Sequence, residues 1–425
     1  MKKHLKLTSL VLVAGLMVTS ILTGCSSSST NSSSNAAKTL TIGVDLPLTG
    51  PYSKVGMEFK DACQMAFDQV GDKIGDYQVK LVWIDDQSDP VKGVAAYEQA
   101  IQRDHIQVGM LNWNSSVAVA LMDVVAKYQI PHFFPLGGAD TINQKWLSNP
   151  KYHYWITKGW AESSKMTVAY TDTIQNAIKN GDFKPRNQKM AIYGEQTDWA
   201  TSLGKSLADE FKAAGWDVVD QQYFKLGETD FNSILTKFKS EDVSLIAGTI
   251  GSPPSMAAFL KQAQDQKLQS LIIADALSEN ADMYSLTGSA SDYVLDNRPL
   301  FVTDKAQKFE ADFKAKYGFD PSAAAGGQVY DYTNFFIQVA NDCLKQNGEL
   351  TSANLYKFAQ DKLFTGQEKY TNGILFKSIE YDQKSLPDPV VGEGKYIFPV
   401  FQYSSGKPQV VWPDDLKQAP LKVKN

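Results

Sequence analysis

Ser202 and Lys205 stand at the S-x-x-K spacing of penicillin-binding enzymes, but they fall on an amphipathic helical run and no Lys-Thr-Gly follows, so the match is chance. Gly204-Lys205-Ser206 ends like a phosphate-binding loop yet lacks the glycine five residues before Gly204, and neither G-x-G-x-x-G nor G-x-S-x-G occurs. His105, His132 and His153 share no short spacing, which argues against a zinc site or a histidine-dependent triad. Asp85, Asp86 and Asp89 resemble a cation cluster, but a solvated loop after a strand explains them more simply. No catalytic machinery is visible, and the expectation is a protein that is not an enzyme and uses no cofactor or metal.

The elements that position the remaining residues alternate. Leu40 to Leu46 reads as a strand, and Val55, Phe59, Ala62, Cys63, Ala66, Phe67 and Val70 form one apolar helical face. Strands follow at Val79–Ile84, Ile106–Leu111 and His132–Pro135, with helices at Pro90–Arg103 and Ser115–Gln129. After Tyr152–Thr157 the pattern repeats, with strands at Met190–Tyr193, Trp216–Tyr223, Leu245–Gly248 and Leu271–Ala274 between helices at 161–179, 199–214, 230–239 and 253–267. Such alternation predicts parallel sheets covered on both faces, here two doubly wound, Rossmann-like α/β lobes. Helices are expected near 304–316, 325–346 and 351–362, then a hairpin turning at Ser404 to Lys407. Cys63 and Cys343 lie on helical faces, where a buried, inert thiol is the default.

The chain has 425 residues, 43% hydrophobic, more than one ordinary domain needs. Its formal charge is −5, and without Lys2, Lys3 and Lys6 of the leader the balance is 39 bases against 47 acids, which argues against a nucleic-acid ligand. Cys25, Cys63 and Cys343 form neither a disulfide framework nor a zinc motif.

Residues 1–24 read as a secretory signal, with a basic start and an apolar run from Leu7. Leu22-Thr23-Gly24-Cys25 resembles the lipobox of bacterial lipoproteins, which implies cleavage before Cys25 and a lipid on its thiol. Residues 25–38, rich in Ser and Asn, cannot build a core and read as a flexible tether. The expected place is the extracytoplasmic face of the cell membrane, held by that lipid.

From Leu40 to Trp412 the chain resembles solute-binding proteins of bacterial ABC importers, of the leucine/isoleucine/valine-binding type. The resemblance is carried by Ile42-Gly43-Val44 with Leu48-Thr49-Gly50-Pro51, Ser115-Ser116, Ile130-Pro131, Asp230-Phe231, Lys261-Gln262-Ala263 and Tyr317-Gly318 before Pro321. It implies the type I periplasmic binding protein fold, with a ligand cleft between two lobes joined by three crossovers near Tyr154–Lys158, Val294–Arg298 and Asn372–Ile374. The N-lobe would be 39–157 with 298–372 and the C-lobe 158–297 with 373–425.

The resemblance also implies a pocket at the strand-to-helix loops, where doubly wound sheets place ligands. A ligand carboxylate would meet Asn114 and Ser115 or Ser116 at one helix start, and Leu136, Gly137 and Gly138 at another, because helix starts present free N–H groups and glycine admits close approach. Trp199 would stack on the ligand from the other lobe; Tyr52, Trp113 and Trp160 are further wall candidates. Amino-acid binders of the family place an acid where this chain has Ala276, so either Asp275 receives the ammonium group or the ligand has none. Ser252 stands where aromatic or polar residues are common, which points to a larger, flatter ligand such as an aromatic acid or aromatic amino acid.

The expected function is therefore a monomeric receptor that delivers a small solute to permease and ATPase subunits. A sensor of amides or urea-like ligands, signalling through a protein partner, is the alternative of the same fold.

Overall fold

The computed structural model describes residues 38–392, 395–396 and 398–424; the leader, Cys25 and all of the tether except Lys38 lie outside them. The first lobe runs β1 (Lys38–Leu46), α1 (Ser53–Gln69), β2 (Lys73–Ile74), β3 (Tyr77–Asp85), α2 (Pro90–Asp104), β4 (Val108–Leu111), α3 (Ser115–Tyr128), β5 (His132–Phe133) and α4 (Asp140–Ser148). Its sheet has the order β2-β3-β1-β4-β5, with β1 parallel to both β3 and β4. Every β1 residue from Leu40 to Leu46 is buried, as a central strand covered on both faces requires.

The second lobe contributes α5 (Ser163–Asn180), β6 (Lys189–Glu195), α6 (Asp198–Ala213), β7 (Asp217–Phe224), α7 (Asn232–Ser240), β8 (Leu245–Thr249), α8 (Pro253–Asp265), β9 (Leu271–Asp275), α9 (Met283–Thr287) and β10 (Leu295–Asn297). Then come α10 (Asp304–Tyr317), α11 (Gln328–Asn347) and α12 (Ser352–Phe358), and the hairpin β11 (Val400–Ser404) and β12 (Lys407–Trp412). The second sheet reads β12-β11-β10-β9-β8-β6-β7, so the hairpin extends the edge begun by β10. Together these form the two-lobed α/β architecture with two largely parallel sheets.

Side-chain caps fix the helix starts. Asp89 accepts from the N–H groups of Val91 and Lys92, with Pro90 in the first turn of α2, and Asn114 caps α3 through Ser116 and Val117. Asp85 holds Thr49 by two hydrogen bonds, and Asp86 is fully buried, so the three aspartates are turn and cap residues, and Asp86 is not the solvated group expected. His132 is a core histidine stacked on Trp155, with burial pushing its pKa down to about 3. Cys63 and Cys343 are free and buried. No helix among the described residues is long and apolar enough to cross a membrane.

Ile374, Phe376, Ile379, Tyr381, Tyr396 and Phe398 are buried in the same cluster as β1, α1 and α11, so the chain does not join the second sheet until Val400. Asp388, in this stretch, reaches the first crossover: it pairs with buried Lys158 at 2.9 Å and with Lys165 at 2.7 Å, and it accepts from Asn143.

Candidate functional site

The C-terminal ends of the two sheets face each other across a cleft of about 590 Å³, a volume that includes space open to solvent. From the first lobe come Tyr52 before α1, Trp113, Asn114 and Ser115 where β4 turns into α3, and Leu136 and Gly138 ahead of α4. The second lobe presents Glu195 at the end of β6, Thr197, Trp199 and Ala200 at the start of α6, Thr249 at the end of β8 with Gly251 after it, and Ala276 and Glu279 after β9. Trp160 lies just after the first crossover and Arg298 at the end of the second, while Ala324 comes from the turn before α11 and Gln328 from its first position.

The structure thus brings eight of the expected residues to one wall: Tyr52, Trp113, Asn114, Ser115, Leu136, Gly138, Trp160 and Trp199. Four others stand elsewhere. Ser116 accepts from the Asp198 N–H at 3.0 Å, a bond between α3 and α6 rather than toward the cavity. A Cβ on Gly137 would meet Ile142 and Ala118, so that residue packs behind its loop. Ser252 is buried just before α8 and is not on the wall. Asp275 is not on the wall either: its two oxygens accept from the Arg298 guanidinium at 2.7 Å, and Tyr170 donates to it at 3.0 Å. That places it behind the wall, paired with a cation of the chain itself.

Arg298 is 1% exposed and also donates to Glu279 Oε1 at 3.1 Å and to the Asn297 carbonyl at 2.8 Å, with its guanidinium 4.7 Å from the centre of the Trp160 ring. Burial alone would lower its pKa, but Asp275, Glu279 and Asp296 reverse that and hold it raised. Burial pushes Glu279 up to about 7 against the pull of Arg298, and it raises Glu195 as well. Glu195 Oε2 accepts from the Tyr52 hydroxyl at 2.5 Å and from the Gly251 N–H at 3.0 Å. Tyr52 and Trp113 meet edge to face with centroids 4.6 Å apart. Gly138 fits between two rings, since a Cβ there would lie 2.6 Å from Trp160 and 2.7 Å from Trp199.

The expected loops therefore hold the wall, although several of its polar groups were missed. Glu195, Thr249, Gly251 and Glu279 lie in loops that strand-to-helix alternation marks, and their types gave a signal. Arg298 stood in an expected crossover without an expected side-chain role. Ala324 and Gln328 begin a helix that follows no strand, so nothing local marked them. Among the described residues no group of three His, Cys, Asp or Glu is placed to hold a metal.

Residues 39–369 match the family model described as periplasmic binding protein. The chain is 26% identical to the Leu/Ile/Val-binding protein BraC3 of Rhizobium johnstonii over 64% of this chain and 71% of that protein. It is 24% identical to a Leu/Ile/Val-binding protein homolog 1 of Brucella abortus over 81% and 87%. Among solved structures, a leucine-binding protein of Thermotoga maritima superposes with a TM-score of 0.69 at 19% identity, covering 89% of this chain and 100% of its own. A solute-binding protein of an ABC transporter from R. palustris, solved with benzoate, gives 0.69 at 18%, covering 90% and 100%. These structural likenesses carry the two-lobed fold, and the family match spans most of both lobes: the chain belongs to the periplasmic binding protein family.

Proposed function

We propose that the protein is a solute-binding receptor of an ABC importer, which captures a small organic solute between its lobes and delivers it to a permease driven by ATPase subunits. The observation that carries this reading is the cavity at the carboxyl ends of two doubly wound sheets, walled by Tyr52, Trp113, Trp160 and Trp199. The solute class is amino acids and related carboxylates, aromatic members included, in keeping with relatives named for Leu, Ile and Val and a fold neighbour solved with benzoate. The lobes close about the crossovers near 154–158 and 294–298, and a lipid on Cys25 holds the body, as a monomer, at the extracytoplasmic face of the membrane.

Thermal-shift screening of amino acids, aromatic acids and amides, followed by small-angle scattering at saturation, tests the reading. A ligand that raises the melting temperature and reduces the radius of gyration is expected. A saturating ligand that leaves the scattering profile unchanged would count against capture by closure. Loss of palmitate labelling in Cys25→Ser, with binding retained, is the expected result for the anchor.

A further inference from the structure

Gln328, at the first position of α11, is wholly buried on the cleft wall, and its Oε1 has no hydrogen-bond donor among the described residues. The amide cannot turn over to remedy this. Its Nε2 donates to the Gly159 carbonyl at 2.8 Å and to the Tyr396 hydroxyl oxygen at 3.1 Å. Tyr396 gives its own hydroxyl proton to that same carbonyl at 3.1 Å, so both neighbours only accept, and the amide nitrogen must face them. Neither Gly159 nor Tyr396 lines the cleft, whereas Gln328 does. The oxygen is thereby fixed on the side of the amide turned from both.

Arg298 stands on the same wall, but its guanidinium nitrogens are committed to Asp275, Glu279 and the Asn297 carbonyl. It therefore gives Gln328 nothing. A buried acceptor without a donor is costly, and a site that carries one selects an occupant that supplies the proton over the analogue that lacks it. Trp160 follows Gly159 directly and meets Tyr396 edge to face, with centroids 6.4 Å apart, so the fixed oxygen and the Trp160 ring belong to one corner of the cleft. Ala324, from the turn before α11, adds only a methyl group to the same wall.

Resting on the receptor reading above, we propose that the solute is a hydroxylated aromatic acid or aromatic amino acid whose ring hydroxyl donates to Gln328 Oε1. A ring lying against Trp160 brings a substituent on its edge to this corner. The acceptor is an uncharged amide, so a neutral hydroxyl suits it. A bare ring leaves the oxygen unpaired, and a methyl ether offers it no proton.

Calorimetry on the folded chain with matched probes tests this: benzoate against the meta and para hydroxybenzoates, and phenylalanine against tyrosine, with the methyl ether of each hydroxylated compound alongside. At least one hydroxylated probe is expected to bind about tenfold or more tighter than both its bare and its methylated partner in the wild type. That comparison needs no variant. Gln328→Met, similar in length and without the acceptor, is expected to bring the ratio close to unity, its folding checked by melting temperature. Equal binding within every set, or tighter binding of the bare ring, overturns the inference while the receptor reading stands. A preference that persists in folded Gln328→Met overturns it too, since another group then receives the hydroxyl. If no probe binds, this inference falls, and the receptor reading is judged separately by the wider thermal-shift screen.

Discussion

The Tyr52 hydroxyl donates to Glu195 Oε2 at 2.5 Å, joining the loop after β1 of the first lobe to the end of β6 in the second. It is one of several bonds that protein atoms alone make across the cleft, with Lys54 to Asp282 at 2.7 Å, Asp198 N–H to Ser116 and Asp140 N–H to Ser202. Closure therefore has a protein component besides the ligand's own.

Tyr52→Phe removes the buried member of this set. Loss of a hydrogen bond to a charged group is expected to shift the balance toward the open form by about 1.5–3 kcal/mol. Small-angle scattering in ligand-free buffer should give a larger radius of gyration than wild type, and superimposable profiles would refute the prediction.

Gly251→Ala attacks closure by sterics. A Cβ there would stand 2.8 Å from Trp113 Cη2 and 2.9 Å from Tyr52 Cε1, both on the opposite lobe. Overpacking of this kind costs roughly 1–3 kcal/mol. It should appear as weaker solute binding, about tenfold or more, with an unchanged melting temperature for the ligand-free protein; a fall in melting temperature with intact binding would contradict it.

Asp275→Asn should act on stability more than on ligand choice. Removing one partner of a buried ion pair costs about 3–5 kcal/mol, and Arg298 would keep Glu279 as its remaining carboxylate on the wall. Urea unfolding should show the loss. A variant as stable as wild type that had lost binding of amino acids alone would restore Asp275 as a ligand group.

Glu58 supplies a pH dependence. Burial pushes its pKa up to about 8, although its Oε1 accepts from the N–H groups of Ser322 and Gly326 at 2.7 Å. The folded chain thus keeps a proton that the unfolded chain has lost between about pH 4.5 and 8, so stability falls as pH rises through that window. Glu58→Gln retains an acceptor oxygen and cannot ionise, so its melting temperature should exceed that of wild type by a margin that grows from pH 5 to pH 8. His132, buried neutral, has the opposite sign below about pH 6.5 but is common to both proteins and cancels in the difference. Parallel curves would show that Glu58 does not titrate in this range.

Most of the elements were legible because apolar periodicity is local: the pattern at Val55 to Val70 and the run from Leu40 to Leu46 specify a helix and a strand without knowledge of the rest. Short β2, β10 and α4 were not, since two or three paired residues, or a nine-residue helix with few apolar positions, leave little pattern. At the site, loops could be located from topology, while the state of each side chain depended on partners distant in sequence. Asp275 looked available until Arg298 of the crossover claimed it. Ser116 stood in an expected loop, but its hydroxyl accepts from the Asp198 N–H of the facing helix, a partner far away in sequence. Gln328 reached the wall through the return of α11 to the first lobe, a tertiary fact with no local signature.

Asp388 has a further consequence for the order in which the molecule can be assembled. Lys158, wholly buried at the first crossover, finds its carboxylate far along the chain, and the Lys158 carbonyl is bonded by Tyr381. A nascent or truncated chain that stops short of these residues holds a buried ammonium with no counter-ion, which is strongly unfavourable. Maturation of the pivot therefore waits for the late segment to dock, so the joined two-lobed body comes into being near the end of folding.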